Sequence, residues 1–204
     1  MIIAEQLVLL ALDPERGVPA PGIRRDALAR GASACLLADL VLSRRVARRG
    51  RGIARLDDLP DFNPLLHAAG RAVPLEEVGV PQALVRIAAA SGSLVSRLLD
   101  SLVARDVLHR QRRALVLTCY PVRSMQALRG VHQRLHEAAR DPNAPPPALA
   151  LAIMADRCGV LEARSTPDEL GRTRGRIAEL RRNPDACTMD LSLLLDIAAA
   201  AEGA

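Results

Sequence analysis

The chain contains no lysine and no tryptophan, and its only aromatic residues are Phe62 and Tyr120. A core with so few aromatics must be assembled from Leu, Ala, Val and Ile. Ala and Leu are strong helix formers, so a mainly α fold is expected. The same scarcity weighs against binding of single-stranded nucleic acid, which relies on aromatic platforms for base stacking. There is no CxxC pair. Cys35, Cys119, Cys158 and Cys187 stand far apart, the pattern of reduced thiols, with Cys35 and Cys158 expected as small core residues. No apolar run reaches the roughly 18 residues a membrane-crossing helix needs, because Glu5 and Gln6 interrupt the first candidate and Asp196 the last. The first residues carry neither the basic head nor the cleavage site of a secretory signal, so a cytoplasmic location is expected.

What is present bounds the answer from the other side. The chain has 204 residues, of which 50% are hydrophobic, enough for a substantial core. Its net charge is +5, and with lysine absent all 28 basic residues are arginine. A chain rich in Ala and Arg without Lys is the product of a high-GC genome, so a bacterial source is expected. The identity of the arginines then carries no message; only their clustering does.

Hydrophobic periodicity and turn residues predict the following order. A short helix spans 3–12 and a turn 13–17. A long helix spans 24–43, with Gly31, Ala32, Ser33 and Ala34 allowing close packing. Residues 44–55 hold six arginines and two glycines and read as a basic hairpin. Helices are predicted over 64–72, 75–90 and 93–106, the last with Leu94, Leu98, Leu99, Leu102 and Val103 on one face. A second hairpin is predicted over 107–118, with Val107 and Leu108 as one strand, 109–113 as the turn and 114–118 as the return. Further helices follow at 125–140, 148–162, 166–182 and 191–201. Thr166, Pro167 and Glu169 form a capping box that opens the 166–182 helix. No internal repeat is present, and a single domain over 1–204 is the simplest organisation.

No nucleophile elbow, P-loop, GxGxxG or HExxH motif occurs, so no enzyme is expected, and neither cofactor nor metal. His132 and His136 stand four apart on one helix, but no third ligand accompanies them and a solvated face is the simpler reading. Asp39 falls inside the apolar stretch 36–42, where it either pairs with a buried arginine or faces out. The functional signal is the clustered charge. Arg44, Arg45, Arg48, Arg49 and Arg51 lie in the first hairpin, and Arg110, Arg112 and Arg113 in the second. Two basic runs at turns favour an anionic surface as partner, since each arginine near an anionic bilayer contributes about 1 kcal/mol. Leu115, Val116 and Leu117 are candidates for membrane insertion, although they could equally cover the core. The alternative is a winged helix that binds nucleic acid, with 93–106 as recognition helix and 107–118 as wing. Asp100 on that helix works against this alternative.

Several segments, taken in order, resemble one family. These are Glu5-Gln6-Leu7-Val8-Leu9-Leu10-Ala11-Leu12 followed by Asp13-Pro14-Glu15-Arg16-Gly17; the small-residue helix 31–46 with Asp39 at its centre; 98–108 ending Leu102-Val103-Ala104-Arg105-Asp106-Val107-Leu108; and Asp141-Pro142 with 148–162 ending Gly159-Val160-Leu161-Glu162. The set is similar to the Golgi phosphoprotein three family, as a bacterial member. The resemblance implies a central helix bundle wrapped by amphipathic helices with an exposed β-hairpin. It also implies a non-enzymatic protein that associates reversibly with membranes. Eukaryotic members bind phosphatidylinositol 4-phosphate and hold the cytosolic tails of membrane enzymes, so anionic lipid and membrane-protein tails are the implied partners; self-association is left open. The family's lipid contacts, a Trp, a basic residue on the small-residue helix and a basic pair before the second hairpin, align with Arg24, Ser33, Gly92 and Val95. The nearby arginines Arg24, Arg25, Arg30 and Arg97 are the candidate head-group ligands here, and a different anionic head group is the expected lipid.

Overall fold

The computed structural model describes residues 1–56, 63–113, 117–182 and 189–203. Among these, the first helix, α1 (Ile3–Ala11), is buried along all nine residues. A helix buried on every side belongs in the middle of a fold, and α1, apolar apart from Glu5 and Gln6, serves as its axis. Helix α2 (Arg25–Leu42) lies against it through the small-residue stretch, where 31–38 are all buried. Gly31 explains why that stretch is small. A Cβ there would sit 2.1 Å from Cys158 Sγ and 3.2 Å from Leu7 Cδ2, so only glycine lets three segments meet.

A basic hairpin follows, β1 (Val46–Arg49) paired antiparallel with β2 (Gly52–Arg55), as the arginine and glycine pattern predicts. Helix α3 (Pro64–Ala72) is capped by Asn63, whose side chain accepts from Leu65 N at 2.9 Å and Leu66 N at 3.3 Å. Helix α4 (Val80–Ser91) starts five residues later than the helix predicted from residue 75. The reason is a third strand-like contact. Val78 exchanges backbone hydrogen bonds with Ile53, both 2.9 Å, which holds 74–79 against the hairpin until Pro81 admits a helix.

Helix α5 (Leu94–Ala104) follows α4 across a 60° bend at Gly92. The second hairpin is shifted from its predicted register. Its strands are β3 (Gln111–Arg113) and β4 (Leu117–Cys119), pairing Gln111 with Cys119 and Arg113 with Leu117. Arg112 and Arg113 are therefore strand residues rather than turn residues, and Arg110 lies just before β3. Burial decides this: Val107 and Leu108 are drawn into the core, and Leu108 bridges to Val122. The turn moves outward along the chain to match. Leu115 and Val116 lie outside the described residues.

Helices α6 (Met125–Arg140), α7 (Pro146–Arg157), α8 (Val160–Arg164), α9 (Pro167–Arg182) and α10 (Met189–Gly203) complete the chain. The predicted helix 148–162 is two helices, because Gly159 adopts φ +70° between α7 and α8. Helix α7, buried continuously over 148–155, packs on α1, α2, α6 and α10. The capping box before α9 forms as expected: Thr166 N donates to Glu169 Oε2 at 3.0 Å and Glu169 N to Thr166 Oγ1 at 3.4 Å. The fold is mainly α, with one continuous hydrophobic core.

Asp39 takes neither of the arrangements expected for it. Its carboxylate accepts from Ile3 N at 2.9 Å and so caps the buried start of α1 from the neighbouring helix. Glu5, fully buried, lies at the same end. It accepts from Ile2 N at 3.1 Å, Ser101 Oγ at 2.7 Å and Arg105 Nη1 at 3.1 Å. Burial, with Glu5 adding to it, pushes Asp39 up to about 7 against the pull of the Ile3 and Ala4 amides.

Candidate functional site

The α4–α5 bend opens a cavity of about 520 Å³ at the edge of the core. Val8 and Leu12 of α1 and Leu28 of α2 form its floor; Leu94, Val95 and Leu99 of α5 form one wall. The opposite wall is the 17–19 segment with Thr118 and Tyr120. Gly17 makes that wall possible. It has φ +66°, and a Cβ there would fall 2.2 Å from Pro121 N, so only glycine lets the turn press against the returning strand. Tyr120 N donates to Gly17 O at 2.7 Å across this contact.

The polar groups of the lining are five hydroxyls, those of Ser33, Ser93, Ser96, Thr118 and Tyr120, and two arginines. Ser33 Oγ already donates to Ala29 O at 3.2 Å within α2. Two arginines, Arg25 and Arg30, are part of the lining. Among the described residues, Arg25 has no ion pair and its side chain is exposed. Arg30 lies 3.3 Å from Asp26, which Arg24 engages more closely through two hydrogen bonds of 2.8 and 3.1 Å. The Arg24 guanidinium holds the Asp26 carboxyl below the usual carboxylate range, so Asp26 stays ionised and offsets part of the local positive charge.

The four candidate head-group arginines therefore divide. Arg25 and Arg30 border the cavity. Arg24 turns to Asp26 and Arg97 donates to Ser91 O at 3.3 Å; neither forms part of the lining. The positions aligned with the family's basic lipid contacts fare differently. Ser33, Gly92 and Val95 all line this one cavity, and all are uncharged.

The basic hairpins divide as well. In the first, Arg48 pairs with Asp196 of α10, Arg49 donates to Leu75 O at 3.0 Å, and Arg51 N donates to Glu77 Oε1 at 3.0 Å. Arg45 also has a partner, while Arg44 is exposed at φ +56°. This hairpin is fastened to the fold and is not part of the cavity wall. The second hairpin is continuous with that wall through Thr118 and Tyr120. Arg110 pairs with Asp100 and places its guanidinium 5.8 Å from the Tyr120 ring centroid. Arg112 is exposed on β3.

The remaining chemistry-bearing residues have structural surroundings. His136 Nδ1 lies 3.2 Å from Glu169, and burial lowers His132. Burial raises the Cys35 thiol well above its ordinary value and pushes Cys158 up to about 12, so neither is a thiolate near neutral pH. Among the described residues, no group of three or more His, Cys, Asp or Glu could hold a metal, and no single helix is long and apolar enough to cross a membrane.

The sequence reading missed the apolar walls. Val8, Leu12, Leu94 and Leu99 look like ordinary core leucines and valines until the bend at Gly92 leaves space between them. Gly17 and Gly92, two of the glycines at positive φ, are the local signal that could have pointed there.

Fold and cavity together describe a mainly helical protein with a cavity walled by aliphatic side chains, hydroxyls and two arginines. The chain belongs to the Golgi phosphoprotein 3 (GPP34) family, whose family model matches residues 3–195. No curated protein matches the chain. Membership suggests a lipid-binding role of the Golgi phosphoprotein kind and a family not known for enzymatic activity.

Proposed function

We propose that this protein is non-enzymatic and docks reversibly on membrane surfaces by binding anionic lipid at the cavity bordered by Arg25 and Arg30. The observation that carries this reading is a coincidence of position. Three of the four positions aligned with the family's lipid contacts, Ser33, Gly92 and Val95, line the same cavity as Arg25 and Arg30. Because those three residues are uncharged, the reading does not include selection for a phosphorylated inositol ring. An anionic head group carrying a single phosphate requires only the two arginines.

The winged-helix alternative has less support. Four polar side chains of the predicted recognition helix 93–106 are engaged within the protein: Asp100 with Arg110, Ser101 and Arg105 with Glu5, and Arg97 with Ser91 O. Co-sedimentation of the full chain with vesicles tests the two readings side by side. Binding to phosphatidylglycerol-containing vesicles at low salt, with little binding to phosphatidylcholine alone, is expected. Failure to sediment with phosphatidylglycerol, cardiolipin or phosphoinositide vesicles would sink the proposal, and strong duplex DNA binding in the same buffer would favour the winged-helix alternative.

A further inference from the structure

Resting on that reading, we infer that the cavity holds hydrocarbon: one alkyl chain of an anionic bilayer lipid enters between α1, α2 and α5 while its head group stays at Arg25 and Arg30. Three observations lead there. The first is the lining. A volume of about 520 Å³ is in the range of small-molecule sites, and its floor and α5 wall are Val8, Leu12, Leu28, Leu94, Val95 and Leu99. A hydroxylated ring placed against those side chains would exchange water for aliphatic carbon, and the buried Ser33 hydroxyl already donates to Ala29 O. Hydrocarbon against the same aliphatic side chains has no hydrogen bonds to forfeit and gains from leaving water.

The second observation is where the charge lies. Both arginines of the lining come from the first two turns of α2, whereas its other polar groups, Ser33, Ser93, Ser96, Thr118 and Tyr120, are uncharged hydroxyls. That polarity matches an amphiphile with an anionic end. The third is the surface beside the cavity. Ala88 of α4 lines it, and Ala89, Ala90 and Val85 on the same helix are exposed, Val85 at 59%. These small aliphatic side chains give an alkyl chain an approach from a bilayer to the cavity, with only the uncharged hydroxyls of Ser93 and Ser96 beside them in the lining.

The test uses the full chain free of vesicles, with cis-parinaric acid, a fluorescent single-chain carboxylate, as probe below its aggregation concentration. Enhanced fluorescence is expected. Lysophosphatidylglycerol should displace the probe, and glycerol 3-phosphate, the head group alone, should fail to do so at a hundredfold higher concentration. Val95→Phe on α5 and Ala29→Phe on α2 each narrow the cavity from a different helix. At least one that keeps the wild-type circular dichroism spectrum should weaken parinaric acid binding tenfold or more. Arg25→Ser with Arg30→Ser should weaken it by roughly tenfold. No fluorescence enhancement, displacement by glycerol 3-phosphate as effective as by the lysolipid, or unchanged binding in both folded fillers overturns the inference. Vesicle sedimentation in parallel separates the two proposals. Sedimentation without parinaric acid binding overturns the hydrocarbon site alone, and parinaric acid binding without sedimentation overturns the membrane reading.

Discussion

Replacing Asp39 with Asn perturbs the point where the two most buried helices meet. In the wild-type protein the carboxylate caps α1 at Ile3 N but lies in a low-dielectric site beside Glu5. Its folded value of about 7 stands above the ordinary 3.8. A group raised in the folded state binds its proton more tightly there than in the unfolded chain. Its contribution is fully present below about pH 4 and is lost as pH rises through 7. At 1.36 kcal/mol per unit the whole shift corresponds to at most about 4 kcal/mol, reduced by whatever solvent reaches the half-buried group. Asn keeps an oxygen for Ile3 N and cannot ionise, so Asp39→Asn should remove this slope. Urea denaturation followed by circular dichroism, in steps from pH 5 to 8, measures it. Wild-type stability should fall across that window relative to the variant, and the variant should match or exceed wild type at pH 8. Parallel pH profiles in the two proteins would refute the assignment of the titration to Asp39.

Two further changes test the packing around α1. Gly31→Ala places a methyl group 2.1 Å from Cys158 Sγ and should lower stability by about 1–3 kcal/mol, seen as a reduced thermal midpoint. An unchanged midpoint would mean that α2 and α7 are less tightly apposed than described. Arg105→Ala removes the cationic partner of the buried Glu5 and should cost about 2 kcal/mol in denaturant unfolding. The cost should shrink in a Glu5→Gln background, and a cost independent of Glu5 would contradict the pairing.

Much of the helical order was legible because local chemistry specifies it. Pro64 with Asn63, Ser124 before α6, and the Thr166–Glu169 box mark helix starts in the sequence itself, and α3 and α6 occupy the residues predicted for them. Errors arose where tertiary contacts overrode local pattern. Residues 75–79 have helical composition but are claimed by the backbone pairing of Val78 with Ile53. Arginines at 109–113 suggest a turn by polarity, yet burial of Val107 and Leu108 moves the turn beyond β3. The cavity was the least legible feature. Its walls come from α1 and α5, distant in sequence, and nothing local distinguishes a leucine facing space from one facing another leucine. The arginines followed the same rule. Clustering singled out the hairpin arginines and the resemblance the other four, but Arg48 pairs with Asp196 on a distant helix, Arg97 donates to the Ser91 carbonyl and Arg24 is held by the neighbouring Asp26, and the fold brings Arg25 and Arg30 to the cavity.

Binding isotherms of wild type and the Arg25→Ser, Arg30→Ser double variant on phosphatidylglycerol vesicles decide whether this cavity is where the protein meets anionic lipid. At about 1 kcal/mol per arginine the double variant should bind roughly thirtyfold more weakly at low salt, and the gap should narrow as salt rises. Equal binding of a folded double variant, with the loss appearing instead on removal of Arg44, Arg51 and Arg112, would contradict the account and move the docking surface to the hairpins.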